Sequence, residues 1–148
     1  MTEKDKWRLE EILKYISDVE SFKKRFGNSL EDVKSDKAYL NCLCMSVSEI
    51  GEMTKYLSKD LKKNYATDVQ WNALLEARNF LVHEYFRINE VLLWETVTEE
   101  LPKLKVVCEQ SLETEKEKCI ETSEEKKEAE QHETQEEQKN PADDDLDP

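Results

Sequence analysis

Arg78-Asn79-Phe80-Leu81-Val82-His83-Glu84-Tyr85 sets an arginine, an asparagine, a histidine and a tyrosine into what otherwise reads as the inner face of a helix. Upstream and through this stretch, Trp71, Leu74, Leu75, Arg78, Leu81, Val82 and Tyr85 keep the three-and-four spacing of a buried seam. Arg78 stands where that pattern asks for an apolar residue. A buried guanidinium is costly unless it is paired or opens onto a cleft. Asn79 and His83 are four apart, neighbours on the adjoining face, so the amide is placed to orient the imidazole. Arg78 and His83 are five apart, roughly 140° around an ideal helix. They converge only if Arg78 reaches along a groove, if the helix ends near His83, or if a second copy completes the site. A lone histidine near a helix end is most often structural. Arginine, asparagine and histidine together at a helix core argue for a functional site.

The spacing Arg-x4-His-x-Tyr, carried by Arg78, His83 and Tyr85, resembles the signature of HEPN-superfamily ribonucleases, and in detail the HepT toxin subfamily. The flanks are similar as well: Ile50-Gly51-Glu52 and Leu57-Ser58 upstream, Trp71 before the arginine, then Trp94-Glu95-Thr96-Val97 and Leu101-Pro102-Lys103-Leu104 downstream. The likeness runs from about Asp5 to Val107. It departs at Glu76-Ala77, where relatives often carry Gly-Met, and at Arg87, where a small residue is common. The resemblance implies a homodimer with two protomers lining one cleft, RNA as substrate, and Arg78 and His83 as catalytic residues supported by Asn79 and Tyr85. It further implies a type VII toxin–antitoxin system. There a minimal nucleotidyltransferase antitoxin silences the enzyme by transferring AMP onto the motif tyrosine, here Tyr85.

That chemistry suits the residues. RNA carries its own nucleophile, the 2′-hydroxyl, so internal transesterification needs proton transfer and charge stabilisation but no metal or other cofactor. A histidine can move the proton near neutral pH. An arginine against the scissile phosphate neutralises charge that builds in the transition state. Two other readings stay open. One is a non-catalytic helical interaction module that docks to a nucleotidyltransferase. The other is a purely structural acidic protein in which the motif is coincidence.

The chain has 148 residues and a net charge of −13, unevenly spread. Residues 111–148 hold fifteen acids and five lysines, whereas residues 1–110 hold twenty acids and seventeen bases. All twelve aromatic residues lie at or before Trp94. The expected organisation is therefore a helical bundle over 1–110 and an acidic, low-complexity, disordered tail over 111–148. Acidity argues against RNA affinity, which phosphate contacts drive. The near-neutral first part answers some of this, and Lys62, Lys63, Arg87, Lys103 and Lys105 are candidates for a local positive patch with Arg78.

The amino terminus has no apolar run after its charges, and no stretch approaches the length of a membrane span, so a soluble, cytoplasmic protein is expected. Cys42, Cys44, Cys108 and Cys119 have no zinc-like spacing. Cys42 and Cys44 lie roughly 200° apart on a helix, unable to chelate one metal. Reduced thiols are the plain reading.

Periodicity gives an all-α fold, a HEPN-type up-and-down bundle of four to five helices. The first helix is expected over about Lys4–Phe26, ended by Gly27-Asn28, with Ser29 opening a short helical turn. Ser35 or Asp36 caps a long second helix to about Lys62. Gly51 inside it costs about 1 kcal/mol against alanine and marks a close approach, by a helix of the same chain or of a dimer partner. Thr67 or Asp68 caps the motif helix, which runs to about Glu84. Asn89 caps the next helix, whose stripe is Val91, Leu92, Trp94, Thr96, Val97, Leu101, Leu104 and Val107, with Pro102 either kinking it or starting a new segment. There is no phosphate-binding glycine loop, no nucleophile elbow and no internal repeat.

Overall fold

The structure is a computed structural model that describes the backbone of residues 1–83 and 88–137, with the side chains of all of these except 82, 83, 136 and 137. Among the described residues every regular element is helical. α1 spans Glu3–Phe26 and begins at Thr2, whose hydroxyl accepts the Asp5 N–H at 3.0 Å. Its stripe of Leu9, Ile12, Ile16 and Val19 is buried. Gly27 ends the helix with φ +117°, and its N–H bonds back to the Lys23 carbonyl. A Cβ there would collide with the Asp32 carboxylate, so glycine is required on both counts. α2, Leu30–Ser35, is capped by Ser29 as the sequence predicts.

α3, Lys37–Lys55, is the central helix, packed against α1 on one side and α5 on the other. Asp36 caps it by accepting from the Ala38 and Tyr39 N–H groups. Its inner residues Tyr39, Leu43, Val47 and Ile50 are buried, and Tyr39 stacks on Phe26 with ring centroids 5.2 Å apart.

The expected single helix from Asp36 to Lys62 is two. α3 stops at Lys55, and α4, Lys59–Asn64, starts afresh from Ser58. The cause is local chemistry that helical periodicity does not weigh. The Ser58 hydroxyl caps the Leu61 N–H, while its own N–H is drawn off to the buried carboxylate of Asp5 at 3.0 Å. The break still turns both Leu57 and Leu61 inward. The motif helix, α5, spans Trp71–His83 and begins later than Thr67 or Asp68, because Tyr65–Asp68 is spent on a turn in which the Tyr65 carbonyl accepts from both the Asp68 and the Val69 N–H.

α6, Glu90–Glu95, is capped by Asn89, and a π-helical turn over Thr96–Glu100 leads straight into α7, Leu101–Glu137. Pro102 falls in the first turn of α7. Proline lacks an N–H and clashes with the carbonyl four residues back, and a π turn immediately before it shifts the hydrogen-bond register. The Leu101 N–H accordingly reaches the Thr96 carbonyl, and the Thr96 and Thr98 hydroxyls donate to the Leu92 and Trp94 carbonyls. The inner face runs through Leu93, four residues before Val97 and eight before Leu101. Leu93 is buried, while Val91 and Leu92, expected in the stripe, are exposed. Farther on, Leu101, Leu104, Val107 and Cys108 close the core.

By its contacts the chain divides into a unit over Met1–Leu112 and a second that starts at Glu113. Ser111 and Leu112, which the sequence assigns to the tail, belong to the first unit, with Ser111 buried. Where disorder is expected beyond them, α7 continues to Glu137, yet residues 116–135 are exposed on every face. Such a helix has only local support, for example the Lys116–Glu113 pair and hydroxyl-to-carbonyl bonds from Thr122, Ser123 and Thr134. Removing residues 113–148 is expected to leave the thermal midpoint of the remaining chain within about 2 °C, since almost no apolar area is lost. A calorimetric scan showing a drop of several times that size would mean that the tail packs.

Candidate functional site

Arg78 lies where α5 crosses α3 at Gly51. A Cβ built on Gly51 would lie 2.3 Å from the Arg78 Cβ and 3.1 Å from the Leu74 carbonyl. The close approach expected at this glycine is thus made within one chain. It brings α5 near enough that the next α3 residue, Glu52, meets the guanidinium. Arg78 Nη2 lies 2.7 Å from Glu52 Oε2, and Arg78 Nη1 donates to Asn79 Oδ1 at 2.9 Å. The Glu52 contact is a close ion pair without the alignment of a good hydrogen bond. A guanidinium has five donors in a fixed fork, so two contacts orient it without exhausting it.

The Arg78 side chain keeps 20% of its surface exposed and Glu52 keeps 32%. Both conditions for an arginine in a seam are therefore met: it is paired, and it opens to solvent. Its neighbours Leu74, Ala77 and Leu81 are buried as the seam requires. Pairing at this exposure adds at most about 1 kcal/mol to stability. Its effect is to fix where the positive charge points.

The other candidate residues are distributed as follows. Asn79 is exposed, and its carbonyl oxygen is engaged by Arg78, so it positions the arginine. The backbone of His83 continues α5, while its side chain lies outside the described residues, as do Tyr85 and Arg87 entirely. Among the expected cationic patch, Lys103 and Lys105 pair with Glu100 and Glu20. Lys62 donates to the Lys55 carbonyl at 3.1 Å, and burial pushes its ammonium below the usual lysine range while nearby Asp5 pulls the other way. Lys62, Lys103 and Lys105 thus serve local partners, while Lys63 is exposed. Glu52 is the residue that sequence reasoning missed. Its signal was present: a seam arginine needs an acid, and a mid-helix glycine marks where one can come close.

A concavity of about 380 Å³ lies on the far side of α5 between Ala73, Ala77 and Phe80 and the α6 region. Its rim carries Glu76, Glu95 and Glu99. That charge disfavours a phosphate there. Among the described residues no group of three or more Asp, Glu, His or Cys side chains is placed to hold a metal. All four cysteines are free, and burial pushes the Cys44 thiol up to about 11 and the Cys108 thiol to about 12, which keeps both protonated and unreactive. No helix among the described residues is long and apolar enough to cross a membrane.

A family model described as Ribonuclease HepT-like matches residues 12–111. Among curated proteins, a candidate RNase of Caldanaerobacter subterraneus subsp. tengcongensis is 33% identical over 90 residues, 61% of this chain and 80% of that one. A candidate RNase of Methanocaldococcus jannaschii is 31% identical over 97 residues, 66% of this chain and 86% of its own. The candidate ribonuclease HepT of Thermococcus cleftensis is 31% identical with the same coverage, 66% and 86%. No solved structure matches the chain.

Gly51→Ala separates two opposing effects. Helix propensity gains about 1 kcal/mol, but the added methyl overlaps the Arg78 Cβ and forces α3 and α5 apart, at about 1–3 kcal/mol. Net destabilisation in a denaturant titration is the expected result. A raised midpoint would mean that the helices do not approach this closely.

Proposed function

The chain belongs to the HepT-like ribonuclease family, and from that premise we propose that it is a metal-independent endoribonuclease toxin of a type VII toxin–antitoxin system, acting as a homodimer. The observation that carries this reading is the Arg78 guanidinium, mostly sunk in a helix seam yet open to solvent and held in place by Glu52 and Asn79. An arginine so placed is a fixed receptor for a phosphate.

In the proposed reaction the scissile phosphate of RNA rests against Arg78. The adjacent 2′-hydroxyl attacks phosphorus, and the bond to the 5′-oxygen of the next nucleotide breaks, leaving a 2′,3′-cyclic phosphate. His83 moves a proton in this step, either from the attacking hydroxyl or to the leaving oxygen. Arg78 neutralises the charge gathered on the non-bridging oxygens. Arg78 is turned toward α3, and on an ideal helix residue 83 lies roughly 140° farther around, so regular helix geometry alone does not bring the two groups together. A second copy supplying the complementary residue resolves this, which favours the dimer.

Silencing would come from a partner nucleotidyltransferase. The Tyr85 phenolic oxygen attacks the α-phosphorus of ATP, pyrophosphate leaves, and the phenolic proton passes to a base on the transferase. The product carries a phosphodiester anion seven residues from Arg78 on the chain. That anion competes for the group that holds the RNA phosphate, so inhibition follows from charge and volume.

Two measurements test the proposal. His83→Ala should abolish RNA cleavage by purified protein, by at least about a hundredfold, while circular dichroism and light scattering stay those of the wild-type dimer. Cleavage that persists in the variant, or wild-type cleavage that stops with chelator, contradicts the mechanism. Incubation with the partner transferase and ATP should add AMP to Tyr85 by peptide mass spectrometry, and Tyr85→Phe should escape silencing. AMP on another residue, or full silencing of the variant, contradicts the regulation.

A further inference from the structure

Between residues 55 and 63 four lysines stand against a single acid, in a chain whose net charge is −13. This is the corner where α3 gives way to α4, and it is tied down from three sides. The Ser58 N–H bonds Asp5 Oδ1 at 3.0 Å, with Asp5 only 1% exposed. Arg8 Nη1 donates to the Tyr56 carbonyl at 2.8 Å, and Lys62 Nζ to the Lys55 carbonyl. Trp71 Nε1, on the first residue of α5, donates to the Lys62 carbonyl at 3.0 Å. The corner is thus fixed both to α1 and to the helix that carries Arg78.

Part of this charge serves the fold. Arg8 and Lys62 satisfy carbonyls at the end of α3, as cations at a helix C-terminus do. The rest is not used that way. Tyr56 is 52% exposed, with the Arg8 guanidinium 5.6 Å and the Lys55 ammonium 5.3 Å from its ring centroid. Lys59 and Lys63 are exposed and have no acidic partner among the described residues. Glu52 and Tyr56 are four residues apart, so the ring follows the Arg78 ion pair along the same side of α3, about one helical turn away.

We propose that this corner is a holding site for single-stranded RNA. A strand whose scissile phosphate lies at Arg78 continues across Tyr56, stacks a base on its ring, and lays its phosphates on Lys55, Lys59 and Lys63. The proposal rests on the ribonuclease reading above and gives it a substrate class. An exposed ring among cations is the pairing that unstacked bases and a phosphate backbone recognise, whereas a duplex keeps its base faces covered. The Lys55 ammonium over the ring sits on a long side chain with no acidic partner among the described residues, free to leave the ring for a phosphate as a base comes in. The site also explains how an acidic chain can hold a polyanion, since attraction at short range outweighs repulsion from distant acids that salt screens.

The test uses the full-length chain and a fluorescein-labelled, 2′-O-methyl single-stranded oligoribonucleotide, which binds without being cut because its nucleophile is blocked. Lys59→Glu/Lys63→Glu should weaken binding at least tenfold at low salt and flatten the log–log salt dependence by about 0.7 per lost phosphate contact. Tyr56→Leu should weaken binding with the salt dependence unchanged. Wild-type affinity and salt slope in all variants would overturn the site and leave the ribonuclease reading standing. Failure of the wild-type chain to bind the probe would overturn both. Binding that is lost in the lysine variant, in a protein that cuts no RNA, would support the site and sink the nuclease. If the lysine variant loses binding to phosphatidylserine vesicles but keeps RNA, the corner faces a lipid surface and the proposal falls.

Discussion

The contact between Gly51 and Arg78 is the constraint from which the rest of the site follows. Without a side chain on Gly51, α5 comes close enough for the Arg78 Cβ to occupy the space a methyl would need. That closeness carries the guanidinium to Glu52, 2.7 Å away, and fixes a positive charge at the rim of a seam in which Leu74 and Leu81 are buried. Glycine here trades helix propensity for proximity, and proximity gives the charge a direction. The ion pair is too exposed to be a large source of stability. Its consequence is geometric, because an arginine held by Glu52 and Asn79 meets a phosphate without first having to be ordered.

The electrostatics of the molecule are local. A net charge of −13 suggests a protein that avoids nucleic acid, but the acids are concentrated beyond Ser111 and around the α5–α6 concavity. On the opposite side of α5 lies the paired arginine, and at the end of α3 lies the lysine-rich corner. Trp71 joins the two, since its indole holds the corner while its helix carries Arg78. A phosphate backbone responds to the field within about a Debye length, so total charge is a poor guide to whether such a chain can take RNA.

Much of this was legible in the sequence. The helical class, the ends of α1, the caps at Ser29, Asp36 and Asn89, and the meaning of Gly51 all follow from short-range rules that the structure obeys. At the end of α3, what periodicity misplaced came from competing hydrogen bonds. Ser58 breaks a continuous apolar stripe because its N–H has a distant acceptor in Asp5, and no local pattern reveals a partner 53 residues away. In α6 the inner face falls on Leu93, four residues before the buried Val97, and not on Leu92. Arg78 was recognisable as an anomaly in its seam. Its partner was not named, because the pairing depends on helix–helix register and not on spacing along one helix. His83 and Tyr85 rest on motif spacing, since their side chains lie outside the described residues.

The central claim is that Arg78, turned toward α3, works with the histidine of a second chain. Mixing two inactive variants tests it directly. Arg78→Ala and His83→Ala dimers are combined, allowed to exchange subunits, and assayed for RNA cleavage. If each cleft takes its arginine from one chain and its histidine from the other, a mixed dimer regains one intact cleft of its two. Random exchange makes half the dimers mixed, so activity should recover to about a quarter of the wild-type level, each step following from two-fold symmetry. If both residues of a cleft come from the same chain, every mixed dimer has two broken clefts. Exchange shown to be complete, with no recovery of cleavage, would contradict the account.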